Sequence, residues 1–392
     1  MRELLEKLAI PRAVGTLGNE KILNIVSDCL QSSGYSVTEH PFSCMVWDTD
    51  SSWLEGTGIK LPVFVSPYSN AFEGNGIAKV ISTIDELEKE SCEKNILFLI
   101  DELAKESLQP KDYPFYYPEE HKRIIDTLEK KKPLAVIAVT GKHPMCGQEP
   151  FPLFEDGNFE IPSACISESD YEKLATKLDG NSFYLKIASK KESAESRQII
   201  ASRKSANSKG TIAICAHMDS KNFSPAALDN ASGLLTLLKV AEKLECNGYD
   251  IDIIPFNTEE YFQPDGELLY LEQLQAEKKS LSLFINIDSV GHTGSKVAIS
   301  LYNFEEDHEK AVKSLLKNNK NIEIGDCWYA GDHTALAFSG TKCIAIASSD
   351  MFTGGLNNTH TPSDTIDTVD VSLIEDAISF TTDILHCNGV CP

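Results

Sequence analysis

The chain is short of positive charge. Its 392 residues carry 36 Lys and Arg against 59 Asp and Glu, a formal net charge of -23. A nucleic-acid binder needs a basic footprint, so no nucleic-acid partner is expected; the acidity reads first as a solvated surface. No apolar run approaches membrane-spanning length, and no membrane partner is expected. The opening residues, MRELLEKLAIPRAVG, alternate charge with short apolar pieces where a secretion signal has a continuous apolar core. Cysteine pattern is missing as well. The 11 cysteines include no Cys-x-x-Cys pair, and an odd, scattered set suits reduced thiols in a cytoplasm better than a disulfide framework. In the tail HCNGVCP, His386, Cys387 and Cys391 read as a frayed end with free thiols, not a metal clip. There is no internal repeat and no low-complexity segment.

What is present is a globular composition, 42% hydrophobic and 24% charged, on a chain long enough for two or three domains. Residues 1–45 read as helix, helix, strand. NEKILNIVSDCLQSSG places Ile22, Ile25, Val26 and Leu30 at helical spacing and stops near Gly34. From about Met45 the character changes to short β-like runs, LPVFVSP, GIAKVIST, NILFLID and LAVIAVTG, separated by turn residues. This stretch, residues 46–183, holds no catalytic-type cluster of His, Asp and Glu and reads as an inserted β-rich α/β module. The remainder, 184–392, alternates strands (GTIAICAHMDS, IDIIPFN, LSLFINIDSVG, KCIAIASSD) with amphipathic helices. That alternation predicts an α/β fold with a mostly parallel or mixed central sheet flanked by helices. Residues 1–45 and 184–392 together form the expected discontinuous domain.

IDIIPFNTEEYF poses a question of charge. A buried strand runs into two adjacent carboxylates, Glu259 and Glu260, which is unfavourable unless a cation compensates. Ligands in open α/β sheets bind beyond the carboxyl ends of strands. The residues leaving those ends are His217 and Asp219, then Asp229 at a helix start, Glu259 and Glu260, Asp288, and His360 in a later loop. No Lys or Arg sits within these motifs to neutralise them. Each residue alone has a plain structural use: His217 as a satisfied strand-end histidine, Asp229 as a helix N-cap, Asp219 and Asp288 as turn closers. Collected on one rim, the imidazoles and carboxylates suit Zn, Co or Mn. Five ligands exceed the three of a single open catalytic zinc. They suit two ions sharing one carboxylate, each with a place for water.

The motifs AHMDS, DNASG, NTEE, NIDSVG, GDHTALAF and HTPSDT resemble, in order, those of the M28 family of zinc aminopeptidases. The resemblance covers 184–392 well and 1–45, through IPRAVGTLGNEKILNIV, more weakly. The middle module resembles the protease-associated (PA) domain that some members carry. The resemblance implies the zinc-exopeptidase fold and two Zn2+ per chain, with His217 and Asp288 on one ion, Glu260 and His360 on the other, and Asp229 bridging before a cis peptide to Asn230. It implies Glu259 as general base and acid, and Asp219 as the residue that orients His217. The expected reaction removes N-terminal residues from peptides with a free N-terminus: a bridging water gives hydroxide near neutral pH, and Glu259 carries its proton to the leaving amine. The module is expected to lie over or beside the cleft and limit substrate size.

The chain departs from the family pattern at PAALD, at the long YFQPDGELLY after Glu260, and at Gly331-Asp332-His333. These leave every ligand in place and bear on pocket shape. The rival readings are a glutaminyl cyclase on the same fold, with one zinc, and a non-catalytic binding protein on a dead peptidase fold. A hydrolase of acetyl-peptides or amino-acid conjugates is a further alternative. The long segment after Glu260 points toward the cyclase; DNASG, Thr359 before His360 and the inserted module point toward the peptidase. Oligomeric state is not readable from the sequence.

Overall fold

The computed structural model describes residues 1–245, 248–316 and 319–386. Cys387 and Cys391 of the tail, and the side chain of His386, lie outside the described residues. Two compact units result, Met1–Cys44 with Glu195–Pro392, and Met45–Ala194. The chain passes between them within two long strands, Ser36–Thr49 and Ser189–Arg203.

The first unit is built on an eight-stranded mixed sheet. Its centre is four parallel strands in the order Asp250–Phe256, Thr211–His217, Leu281–Ile287 and Cys343–Ser348. Ser189–Arg203 joins antiparallel on one side, Val297–Tyr302 on the other. Thr211–His217 and Cys343–Ser348 are buried at every position. That is why both read as unbroken apolar runs: a parallel strand covered on both faces has no polar side to show. Helix Leu17–Ser32 begins where the Thr16 hydroxyl accepts the Asn19 amide proton at 3.2 Å, a cap worth about 1 kcal/mol. It buries Ile22, Leu23, Val26 and Leu30, which face the core together. Helix Gly233–Lys243 packs against it and against Val371–His386.

Because the four central strands are parallel, their carboxyl ends share one rim. The register pairs His217 with Phe256. The residues just beyond these strands, among them Glu259, Glu260 and Asp288, therefore emerge side by side although they are distant in sequence.

The second unit has its own eight-stranded mixed sheet. Phe72–Ile81, Asn95–Leu99, Ala135–Thr140 and Ser163–Ser167 run parallel in that order. Ser182–Ile187 pairs antiparallel with Phe72–Ile81 and Trp53–Gly56. Residues 184–194, read from the sequence as part of the larger domain, thus begin in a strand of this second sheet. Alternate residues of Asn95–Leu99 feed two cores: Leu97 and Leu99 one, Ile96 and Phe98 the other. All eight described cysteines are free thiols. No described helix is long and apolar enough to cross a membrane.

Candidate metal centre

His217 closes its strand with its side chain buried. Its Nε2 lies 3.1 Å from Asp229 Oδ1 and 3.6 Å from Asp288 Oδ1. The other oxygen of Asp229, Oδ2, lies 3.1 Å from His360 Nε2, which is 3.0 Å from Glu260 Oε1. The rim residues thereby sort into two trios that share Asp229: His217, Asp229 and Asp288, and Asp229, Glu260 and His360. Within each trio the ligand atoms lie within 4.8 Å of one another. Glu259 belongs to neither.

Local structure sets these positions. Asp229 is not the cap of the following helix, whose N-cap residue is Ser232. It sits in non-helical backbone just before, joined to Asn230 by a cis peptide. Both oxygens of Asp364 accept backbone protons there, from Leu228 at 2.8 Å and Asp229 at 3.1 Å. Asn230 ties the turn to the next strand end: its Nδ2 donates to Ile287 O at 2.9 Å, and its Oδ1 accepts from Ser289 N at 3.1 Å and Gly233 N at 2.9 Å. A Cβ on Gly233 would stand 2.1 Å from Asn230 Oδ1 and 2.5 Å from Ile287 O, so only glycine fits.

Asp219 is fully buried, with Oδ1 3.7 Å from His217 Nδ1. That is beyond hydrogen-bond range, and both atoms are buried without a hydrogen-bond partner. Its other oxygen accepts the Glu260 amide proton at 3.0 Å. Asp219 therefore holds the backbone of Glu260 as well as facing His217.

The electrostatics are those of a site built for cations. Burial opposes charge on His217, yet Glu259, Asp219, Asp229 and Asp288 outweigh it and push the imidazole well above its ordinary value. Asp229 is also buried, but the two histidines hold its carboxyl well below the carboxylate range. Burial, reinforced by the charges of Glu260, Asp288 and Asp229 and opposed by His217, holds the Glu259 carboxyl well above that range. Burial likewise raises Asp288. Two imidazoles with three carboxylates fit zinc, and the buried, unpartnered Nδ1 of His217 and Oδ1 of Asp219 fit a histidine turned by such an ion.

Two cations that sequence reasoning missed stand beside the acids. Arg12 is completely buried. Its guanidinium donates to the carbonyls of Met218 at 2.6 Å, Pro225 at 2.9 Å, Ile10 and Ala226 at 3.1 Å, and Leu8 at 3.3 Å. Burial lowers it to about 10, while Asp219, Asp229, Asp364 and Glu260 favour its charge. Lys221 lies one residue past the AHMDS motif, with Nζ 3.3 Å from Glu260 Oε2 and 3.1 Å from Glu260 O. Its adjacency to that motif was the available signal. For Arg12 there was none, because the partners that tie it to the site, Met218, Pro225 and Ala226, are more than two hundred residues away. His333 is buried and neutral: burial lowers it to about 4 despite the Trp328 carbonyl. Its Nε2 faces Trp328 O at 3.0 Å and its Nδ1 faces Asn286 Nδ2 at 3.2 Å. With both ring nitrogens facing fixed neighbours, its role is structural.

Residues 198–383 match the model of Peptidase family M28. Among curated proteins, the chain is 23% identical over 285 residues to the probable lipoprotein aminopeptidase LpqL of Mycobacterium tuberculosis, covering 71% of this chain and 54% of that protein. It is 28% identical over 139 residues to leucine aminopeptidase 2 of Arthroderma otae, covering 34% of this chain and 28% of the other. The chain thus spans only part of the curated relatives it matches. Among solved structures, the aminopeptidase from Aneurinibacillus sp. strain AM-1 shares the fold with TM-score 0.77 at 18% identity, covering 98% of this chain and 92% of that one. BSAP, a zinc aminopeptidase from Bacillus subtilis, does so with TM-score 0.71 at 18% identity, covering 98% and 93%.

Proposed function

We propose that this protein, whose segment 198–383 matches Peptidase family M28, is a zinc aminopeptidase with two ions per chain that removes N-terminal residues from peptides with a free amino terminus. The carrying observation is the division of Asp229: one oxygen faces His217 and the other His360, and each histidine is completed by a further carboxylate. A single-ion site has no use for that split. In this reading His217, Asp229 and Asp288 hold one ion, and Asp229, Glu260 and His360 the other. The bound ions supply an acidified water and a polarised scissile carbonyl.

Glu259 does the proton work. It stands next to the ligands without being one, the position a general base and acid needs. It takes the proton of the attacking water and returns it to the leaving amine. Asp219 keeps the Glu260 backbone in place and faces His217. The acidic rim favours a protonated α-amino group over a blocked end, which supports trimming from the N-terminus. For the second unit, a mixed sheet with a hydrophobic core on each face, we keep the reading as a protease-associated module. The free thiols support a cytoplasmic setting.

The test is metal content per chain on protein purified without chelator or added zinc. The same sample is assayed on aminoacyl-anilides, an acetylated peptide and an N-terminal glutamine peptide. About two ions with anilide cleavage are expected. One ion with glutamine cyclisation would make the protein a cyclase instead.

A further inference from the structure

The two trios differ in what stands behind them. In the first, Asp288 Oδ1 accepts from the neutral Ser289 hydroxyl at 3.1 Å, and His217 is faced by the buried carboxylate of Asp219 at 3.7 Å. In the second, Glu260 offers Oε1 toward His360 while its Oε2 is taken by the Lys221 ammonium at 3.3 Å. The same ammonium is anchored on the Glu260 carbonyl at 3.1 Å. One position thus has an extra carboxylate at its back and the other an extra cation.

We infer that Lys221 makes Glu260 a one-oxygen ligand and the Glu260–His360 position the weaker of the two, so that zinc fills the His217–Asp288 position first. The inference rests on the two-ion reading above. The physical reasons act in one direction. An ammonium within a few ångströms of a ligand oxygen competes with the ion for that oxygen, and it repels the ion through a partly buried medium where charges are weakly screened. A carboxylate behind a histidine ligand does the opposite, raising the basicity of the imidazole. Exposure agrees: the His360 side chain is 22% exposed and that of His217 1%. The proposed result is a site whose second ion comes and goes with zinc supply while the first stays.

The experiment is a zinc titration of the full, chelator-stripped chain against a competing chromophoric chelator, repeated with Co2+ and read from its absorption bands. The wild type should fill in two steps at least about tenfold apart in affinity. Asp288→Asn should remove the tight step and His360→Ala the weak one. Lys221→Met, and Lys221→Gln as a second neutral variant, should tighten the weak step about tenfold and leave the tight step unmoved. Lys221→Arg, which keeps the charge, should preserve the gap. Two ions per chain with a gap that neither neutral variant narrows, or a weak step that both loosen, would overturn the inference alone. So would loss of the tight step in His360→Ala. One ion per chain in every variant at saturating zinc would overturn the two-ion reading together with it.

Discussion

The Nε of Arg12 donates to the carbonyl oxygen of Met218 at 2.6 Å, across 206 residues of chain. That bond, with those to Pro225 and Ala226, fastens the loop between His217 and Asp229 to the N-terminal segment. The loop carries a proposed ligand at each end, so one buried guanidinium bears on the distance between the two turns. It also places a positive charge behind a ring of carboxylates that would otherwise repel one another.

Replacing Arg12 by Met should therefore destabilise the first unit by about 3–5 kcal/mol, since it strands buried carbonyls and uncompensated carboxylates together. Arg12→Lys should recover only part of this, because one ammonium cannot reach carbonyls spread around a planar fork. Urea denaturation of the metal-free protein measures both. A loss under about 1 kcal/mol in Arg12→Met, the scale of a single ordinary hydrogen bond, would mean that the loop holds its shape without the guanidinium.

Glu259→Gln should keep both ions and lose about 10²–10⁴ in turnover, the usual contribution of a positioned general base. The amide preserves size while removing the proton acceptor, and Glu259 supplies no atom to either trio. Asp229→Asn should weaken both positions together, since its two oxygens are divided between them. Elemental analysis beside anilide turnover distinguishes the cases. Equal loss of metal and activity in Glu259→Gln would show that base and ligand are wrongly assigned.

The gathering of acids and imidazoles on one rim was legible because its physics is local. Unbroken apolar strands such as TIAICAH announce burial on both faces, and a carboxylate or imidazole at the end of such a strand is conspicuous. The supports of the rim were not legible. Arg12, Lys221 and Asp364 work through backbone carbonyls, backbone amides and a neighbour's second oxygen, contacts that leave no periodic trace in sequence. The second unit shows the same limit. Strands Trp53–Gly56 and Ile59–Pro62 are four residues long, too short for alternation to rise above the surrounding turns, and they exist because they pair with each other and Trp53–Gly56 pairs with Ser182–Ile187.

His333 carries a pH dependence whose sign follows from its burial. In the fold its pKa is lowered to about 4, while in the unfolded chain it sits near 6.5. The unfolded state therefore binds the extra proton between these values. The stability that comes from keeping His333 neutral is fully present above pH 6.5 and is lost as pH falls toward 4, a loss of up to about 3 kcal/mol. His333→Gln should cost some stability at pH 8, since it replaces a ring that meets both Trp328 O and Asn286. It should also flatten the descent between pH 6.5 and 4. Melting curves of metal-free wild type and variant across that range make the comparison, and parallel descents would place the acid sensitivity elsewhere.

A second group titrates in the opposite sense. Both carboxylate oxygens of Asp332 are buried without a hydrogen-bond partner, whereas Glu267 Oε2 accepts from Thr258 Oγ1 at 2.8 Å. Burial first, then the charges of Glu267 and Glu259, hold Asp332 well above the usual carboxylate range; burial also raises Glu267. A buried carboxyl with neither a hydrogen-bond donor nor a cation beside it ionises at a cost, so the raised Asp332 should keep a proton that the unfolded chain releases above about pH 4. The folded state then binds more protons than the unfolded one, and this carboxyl erodes stability as pH rises. Asp332→Asn removes the titrating carboxyl and with it that erosion. Its melting temperature should exceed that of the wild type at pH 8, and the advantage should shrink toward pH 5. A variant less stable than wild type at pH 8, or an advantage constant with pH, would mean that Asp332 does not hold its proton in the fold.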